Sequence, residues 1–257
     1  MSISVVEHIE AIFFDMNGTL RVREPHGSTQ HSATRRILKL LGRRNAPDSF
    51  WELLTRRKRA YSQWAQKNLL QLSEEEIWTG WILPEYPSEM IKPIATDLTL
   101  AWSELKGRPV PRAGAKKILL ELKRRGYRLG IISNSMSLLD IPCSLEAFGW
   151  KEYFDVVILS SVLKQRKPAP EPFWEAALQV KAKPSHCAYV GNRITKDIMG
   201  CKQAGFGMGI LLEPPDTLPA SEPGLPMECE VTIHLLGELL GIFPRRVASD
   251  IVCIPAS

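Results

Sequence analysis

The sequence predicts an α/β fold: a parallel-sheet core with helices on both faces, interrupted after its first strand by an all-helical insert. Three observations predict it. From residue 112 onward, segments with helical spacing alternate with short apolar strands. Near the start, the apolar run Ile12-Phe13-Phe14 delivers Asp15 into a Gly/Thr turn. Between the two, residues 22–108 carry helical periodicity and no strand alternation. At 257 residues, 44% hydrophobic and 24% charged, the chain can bury a sizeable core and has the composition of an ordinary globular protein.

In chain order, the first apolar run reads as a buried parallel strand. Helices follow at 28–41, 47–68, 73–81 and 88–105, broken at Gly42, at Leu72 and between Pro84 and Pro87. Five of the seven tryptophans fall here (Trp51, Trp64, Trp78, Trp81, Trp102), which suits the core of a small helical bundle with one or two lining a pocket. The alternation then predicts helix 112–125, strand 127–132, helix 138–148, strand 155–159, helix 172–180, strand 187–190, helix 194–204 and strand 208–212. A proline-rich loop over 213–226 and a strand-helix remnant over 231–242 complete it. The implied organisation is core over 1–21, helical cap over 22–108, core again over 109–243, and a tail over 244–257 of unassigned role. Hinges are expected near 21–25 and 107–112, where the cap leaves and rejoins the core.

In parallel α/β sheets, sites form outside the carboxyl ends of the strands. Asp15, Ser133, Asn134, Gly191 and Asn192 all fall at those ends. Several function classes recede. No apolar run approaches twenty residues and no leader pattern opens the chain, so the expectation is a cytoplasmic protein without a membrane partner. The five cysteines are scattered, with no Cys-x-x-Cys pair to signal zinc or a disulfide framework. Ten of the Lys and Arg residues lie between 31 and 67, against only Asp48 and Glu52. No nucleic-acid motif accompanies that charge, so it is expected to be a solvated helix face or a field steering an anionic substrate.

Four motifs carry the chemistry, in this order: Asp15-Met16-Asn17-Gly18-Thr19, Ser133-Asn134, Lys167-Pro168, and Gly191-Asn192 with Asp197 five residues on. A carboxylate at a strand end is a candidate nucleophile, and a phosphate ester needs cations and donors around it before such an anion can approach. Lys167 supplies fixed charge; Ser133 and backbone N–H groups near Gly18 and Asn134 supply donors. In this order and spacing, from about residue 9 to 243, the motifs resemble those of the haloacid dehalogenase-like (HAD) hydrolases, and the helical insert resembles that family's C1-type cap on a Rossmann-like core.

The resemblance implies a magnesium-dependent phosphohydrolase acting on a small phosphorylated metabolite through an aspartyl-phosphate intermediate. Asp15 would be the nucleophile and Lys167 its charge-balancing partner. Gly18, Thr19, Ser133 and Asn134 would hold the phosphate. Magnesium would be held by Asp15, the Asn17 carbonyl, and Asn192 or Asp197. The chain departs from the family's pattern twice, at Asn17 and Asn192, where the family normally carries Asp. An amide has no proton to exchange at neutral pH, and general acid–base catalysis is worth ~10²–10⁴-fold, so a slowed enzyme with weaker metal binding is expected. Three readings stay open on these residues: the weakened phosphohydrolase, a metal-free 2-haloacid dehalogenase with Arg35 or Arg36 clamping a carboxylate, and a catalytically impaired phosphate-ligand binder. A lysine such as Lys39 poised for Schiff-base chemistry is a minor fourth.

Overall fold

The computed structural model describes Val6, residues 8–215 and residues 231–246. Cys229, Cys253, most of the proline-rich loop and most of the tail lie outside the described residues.

The strands of the described residues are β1 (Ala11–Phe14), β2 (Arg21–Glu24), β3 (Arg108–Pro111), β4 (Arg128–Ser133), β5 (Val156–Leu159), β6 (Cys187–Gly191), β7 (Met208–Leu212) and β8 (Val231–Ile233). Six of them form the core, a parallel sheet ordered β5-β4-β1-β6-β7-β8. β1 is central and all four of its residues are buried, as expected for a strand covered on both faces. Its alternation sorts the core. Ile12 and Phe14 pack with Leu119 and Leu122 of helix Ala115–Arg124 and with Leu145 of helix Asp140–Ala147. Ala11 and Phe13 pack on the other face with Phe173 and Ala176 of helix Glu171–Gln179 and with Cys201. Each large apolar side chain among these contributes roughly 1.5–3 kcal/mol by leaving water.

The intervening helices build a third hydrophobic cluster of their own. Ile37 of helix Gly27–Leu40, Leu54 and Tyr61 of helix Asp48–Asn68, Trp78, and Leu98 and Trp102 of helix Ala95–Glu104 meet there. Four helices were expected in this region and the structure divides two of them. The segment at 88–105 becomes Ser88–Ile91, a 3-10 turn Lys92–Ile94 and then Ala95–Glu104, with Pro93 at the junction, where it has no N–H to donate. The segment at 73–81 starts with a capping box between Ser73 and Glu76, then loosens into a π turn, Trp78–Ile82.

The expected hinge segments are strands. β2 pairs antiparallel with β3, tying the entry and exit of the helical unit together. β3 extends to Pro111, and Arg112 N–H then bonds the Leu20 carbonyl, so the next helix begins at Ala115 rather than 112. No described helix is long and apolar enough to cross a membrane.

Candidate active site

Parallel pairing of β1 with β4 and β6 brings the carboxyl ends of all three strands together. Asp15 follows β1, Ser133 closes β4, and Asn192 follows β6. Lys167 arrives from the loop between the helices Ser160–Leu163 and Glu171–Gln179. These residues, far apart in sequence, form one cluster.

Lys167 is its hub. Its Nζ donates to Asp15 Oδ1 at 2.8 Å and to Asp197 Oδ1 at 2.7 Å, with all three side chains nearly buried. It also donates to the Tyr189 hydroxyl, which in turn donates to the Ile132 carbonyl at 2.9 Å. Burial works against the ammonium charge, but Asp15 and Asp197 outweigh it and hold Lys167 above the ordinary lysine value. Burial pushes Asp15 up from the usual carboxylate value against the pull of Lys167. Ser133 Oγ donates to the same Asp15 oxygen at 3.1 Å. The other Asp15 oxygen has no partner among the described residues and is the one available for chemistry.

Four predicted site residues are occupied differently from expectation. Asp197 is fully engaged: Oδ1 accepts from Lys167, and Oδ2 accepts the N–H groups of Asn192 and Arg193, both at 3.0 Å. A Cβ on Gly191 would lie 2.4 Å from the Asp197 Cγ, so only glycine permits that approach. The Asn134 amide clamps the Lys167 backbone in both directions, at 3.0 and 2.9 Å, which makes it a brace for Lys167. Thr19 is completely buried, with its hydroxyl 3.5 Å from Asn192 Oδ1. Gly18 adopts φ +88°, in the left-handed region, and its N–H is taken by the Arg21 carbonyl at 2.8 Å. The N–H groups of Met16 and Asn17 have no such partner among the described residues.

Asn17 is held by a residue that sequence reasoning placed only at a hinge. Arg21 is completely buried, and its Nε and Nη2 donate to Asn17 Oδ1 at 3.0 and 2.9 Å. It also donates to Asp140 and to Ser144. Asp140 in turn accepts from Arg23 at 2.6 Å and from Ser103 at 3.1 Å. Burial opposes the Asp140 charge, but the two guanidinium groups win and hold its carboxyl below the usual range. The two Arg21 donors fix the amide with its oxygen on the guanidinium, so Asn17 presents an N–H₂ donor to the site. One signal pointed to this network: Arg21 and Arg23 alternate with Leu20 and Val22, a period of two that marks a strand with a charged face.

Above these strand ends lies a cavity of about 700 Å³, the size of a small-molecule site. Asn17, Gly18, Asn134 and Asn192 line it from the core, and Lys58, Tyr61 and Trp102 from the helical unit. Neither Arg35, Arg36 nor Lys39 lines it, and Arg36 pairs with Asp97 at 2.5 Å on the surface. Arg35 and Arg36 as a carboxylate clamp, and Lys39 as a Schiff-base lysine, therefore have no place at this cavity.

For a divalent cation, the hard oxygen donors at hand are the Asp15 carboxylate, the Asn17 carbonyl and the Asn192 amide oxygen. No group of three His, Cys, Asp or Glu side chains suited to a metal occurs among the described residues. One carboxylate is the lower limit for magnesium, which takes one or two plus substrate phosphate and water. The donor set fits at that limit, with Asn192 in place of Asp197.

Residues 9–205 match the model of a hydrolase family described as haloacid dehalogenase-like hydrolase. The chain is 36% identical to a glyceraldehyde 3-phosphate phosphatase of Methanothermobacter thermautotrophicus over 99 residues, 38% of this chain and 42% of that protein. It is 30% identical to haloacid dehalogenase-like hydrolase domain-containing protein 3 of Homo sapiens over 131 residues, 51% of this chain and 49% of that one. The chain thus matches less than half the length of either relative. Among solved structures, it is similar to a HAD phosphatase from Thermococcus onnurineus, with TM-score 0.60 and 21% identity over 93% of this chain and 100% of that one. It is also similar to a 2-haloacid dehalogenase from Pseudomonas syringae, with TM-score 0.65 and 23% identity over 91% and 97%. At such identities the likeness is one of fold.

Proposed function

The chain belongs to the haloacid dehalogenase-like hydrolases, and from that premise we propose that it is a phosphohydrolase acting on small phosphorylated metabolites, with Asp15 as nucleophile. The observation that carries this reading is the shared Asp15 oxygen. Lys167 and Ser133 both donate to Oδ1, which orients the carboxylate and leaves its second oxygen to attack.

The free Asp15 oxygen would form a bond to phosphorus as the ester P–O bond breaks. The departing oxygen would receive hydrogen bonding from the Asn17 N–H₂ but no proton, and would take its proton from water. Water would then attack the aspartyl phosphate, releasing inorganic phosphate and restoring Asp15. Lys167 and the free N–H groups of Met16 and Asn17 would stabilise the charge on the phosphoryl oxygens. Asp15, the Asn17 carbonyl and Asn192 would hold magnesium, which when bound supplies further charge neutralisation between carboxylate and phosphate. Asp197 would act through Lys167 as its positioning residue. With no proton to give at position 17, esters with good leaving groups are favoured.

The test is hydrolysis of p-nitrophenyl phosphate with and without magnesium, beside Asp15→Ala. Magnesium-stimulated turnover abolished in Asp15→Ala is expected. Undiminished turnover in Asp15→Ala would overturn the assignment of the nucleophile. No turnover by the unaltered chain would favour the binding reading.

A further inference from the structure

The cavity carries far more positive charge than one phosphate requires. Eight Lys and Arg side chains line it, against the two carboxylates of Asp140 and Glu213 among the described residues. Four are spoken for or peripheral: Arg21 and Arg23 hold Asp140, Arg112 donates to the Gly18 carbonyl at 2.6 Å, and Arg193 lies exposed. The remaining four are Lys58, Lys106, Arg166 and Lys196.

Lys58, Lys106 and Lys196 have no ion-pair partner among the described residues. Arg166 leans on Gln71 through Nη1, and Gln71 is itself buried and bonded to the Tyr61 hydroxyl. The Arg166 Nε, by contrast, is a buried donor without any partner. Buried donors are seldom left so, because an unmet N–H costs about 1–3 kcal/mol. The four cations come from separate elements: Lys58 from helix Asp48–Asn68, Lys106 from the end of helix Ala95–Glu104, Arg166 from the loop before Lys167, and Lys196 from the turn after β6. They lie close enough to repel one another: burial first, then Lys106, Arg166 and Lys196, pushes Lys58 down to about 8. An uncompensated cluster of this kind costs folding free energy unless a ligand neutralises it.

We propose that Lys58, Lys106, Arg166 and Lys196 form a second anion site, so that the substrate carries an anionic group at each end. One end, a phosphoryl group, sits at Asp15 and Lys167. The other, a phosphoryl or carboxylate group, sits among the four cations and takes the free Arg166 N–H. This rests on the phosphate reading of the Asp15 end, which the nucleophile test probes separately.

The experiment is calorimetric binding of three non-hydrolysable probes to the full chain: propylphosphonate, 3-phosphonopropionate and propane-1,3-diylbisphosphonate. The expected result is that a doubly anionic probe binds at least tenfold tighter than propylphosphonate, and that this ratio falls toward one in Lys58→Gln and in Lys196→Gln. Which of the two wins identifies the second group as carboxylate or phosphoryl. Equal binding of all three would overturn the second site and leave the phosphohydrolase reading standing. A ratio unaltered by either substitution would overturn the assignment of these residues. Failure of all three to bind, with Asp15-dependent hydrolysis intact, would also overturn the second site; without hydrolysis, both readings fall together.

Discussion

Replacing Asn17 with aspartate introduces a second carboxylate two residues after Asp15, and Arg21 decides what that carboxylate can do. In the present site two Arg21 N–H groups, at 3.0 and 2.9 Å, converge on Asn17 Oδ1. A carboxylate there would accept both and become a charge-assisted pair with a guanidinium that is completely buried. An adjacent arginine lowers an aspartate's pKa by about 1–3, which cuts the protonated fraction at neutral pH a further tenfold to thousandfold. The introduced carboxylate would then have no proton for a leaving group, yet would remain an anion able to orient and weakly activate water. Expected is a gain of about tenfold in turnover of an aryl phosphate, at or below the foot of the ~10²–10⁴ range for acid–base catalysis. An alkyl phosphate, whose leaving oxygen needs a proton, would gain little. Steady-state rates for p-nitrophenyl phosphate and for an alkyl phosphate, each with the unaltered chain and with Asn17→Asp, measure both quantities. Equal gains on the two substrates would refute the role given to Arg21. No gain on either, with the fold intact, would refute missing acid–base catalysis as the reason for a slow site.

Other outcomes follow from the same geometry. Lys167→Met leaves Asp15 and Asp197 as buried, unpaired carboxylates, so it should abolish hydrolysis and cost about 3–5 kcal/mol, read by urea unfolding. Asp140 is held below its ordinary value of 3.8 by Arg21 and Arg23 after burial is overcome, so its contribution to stability should be full above that value and lost as pH falls through the lower folded one. Urea midpoints of the unaltered chain and Asp140→Asn should therefore differ at about pH 6 and converge toward about pH 2. Gly18→Ala would place a β-carbon 2.4 Å from Asn192 Nδ2 at a positive φ, and should cut turnover at least tenfold while the circular dichroism spectrum is retained. Lys58, facing Lys106, Arg166 and Lys196, sits at about 8 without ligand, and a bound anion raises it. Affinity for a doubly anionic probe should therefore fall as pH rises above about 8, with proton uptake there visible as a dependence on buffer ionisation enthalpy.

The sheet was legible because its information is local. The continuous apolar runs of β1 and β6 are short and read as strands covered on both faces, and each ends in a turn with a polar residue. The placement of Asp15, Ser133, Asn134 and Asn192 at one end followed from parallel pairing alone. The hub at Lys167 was legible as a charged residue in a motif, but its two carboxylate partners were not distinguishable from metal ligands. That distinction depends on where Gly191 lets Asp197 approach, a packing fact with no sequence period. Arg21, Asp140, Tyr189 and Arg166 were missed for a related reason. Each acts through a contact with a residue far off in sequence, and each lies in a segment whose local pattern spoke only of strand, helix or loop. The basic stretch over 31–67 misled in the opposite direction. Most of its charge is on the surface, with Arg57 on Glu85 and Arg43 over Phe50, and of its ten basic residues Lys58 alone lines the cavity.

The two asparagines and the surplus cations belong to one electrostatic argument. A phosphate dianion approaching Asp15 meets repulsion from every carboxylate around it, and a metal-assisted site tolerates several acids because the ion cancels them. At positions 17 and 192 this chain carries amides, and Lys167 is shared between Asp197 and Asp15, so this buried trio keeps one net negative charge. On the proposed reading Asp15 is then the carboxylate that approaches the phosphoryl group, without acids at 17 and 192 to add to its repulsion. The protein's own cations can then attract the substrate with little opposition. At about 4 Å and an effective dielectric of about 20, each charge removed or added at the site changes the interaction by about 4 kcal/mol. Asn192→Asp puts one negative charge back beside the Asn17 and Gly18 wall of the cavity. Its expected effect is weaker binding of phosphonate probes in EDTA, with recovery in millimolar magnesium because the added carboxylate is also a metal ligand. Calorimetry in the two buffers decides it. If Asn192→Asp binds phosphonates as tightly as the unaltered chain in EDTA, the amides are not there to lower the site's negative charge.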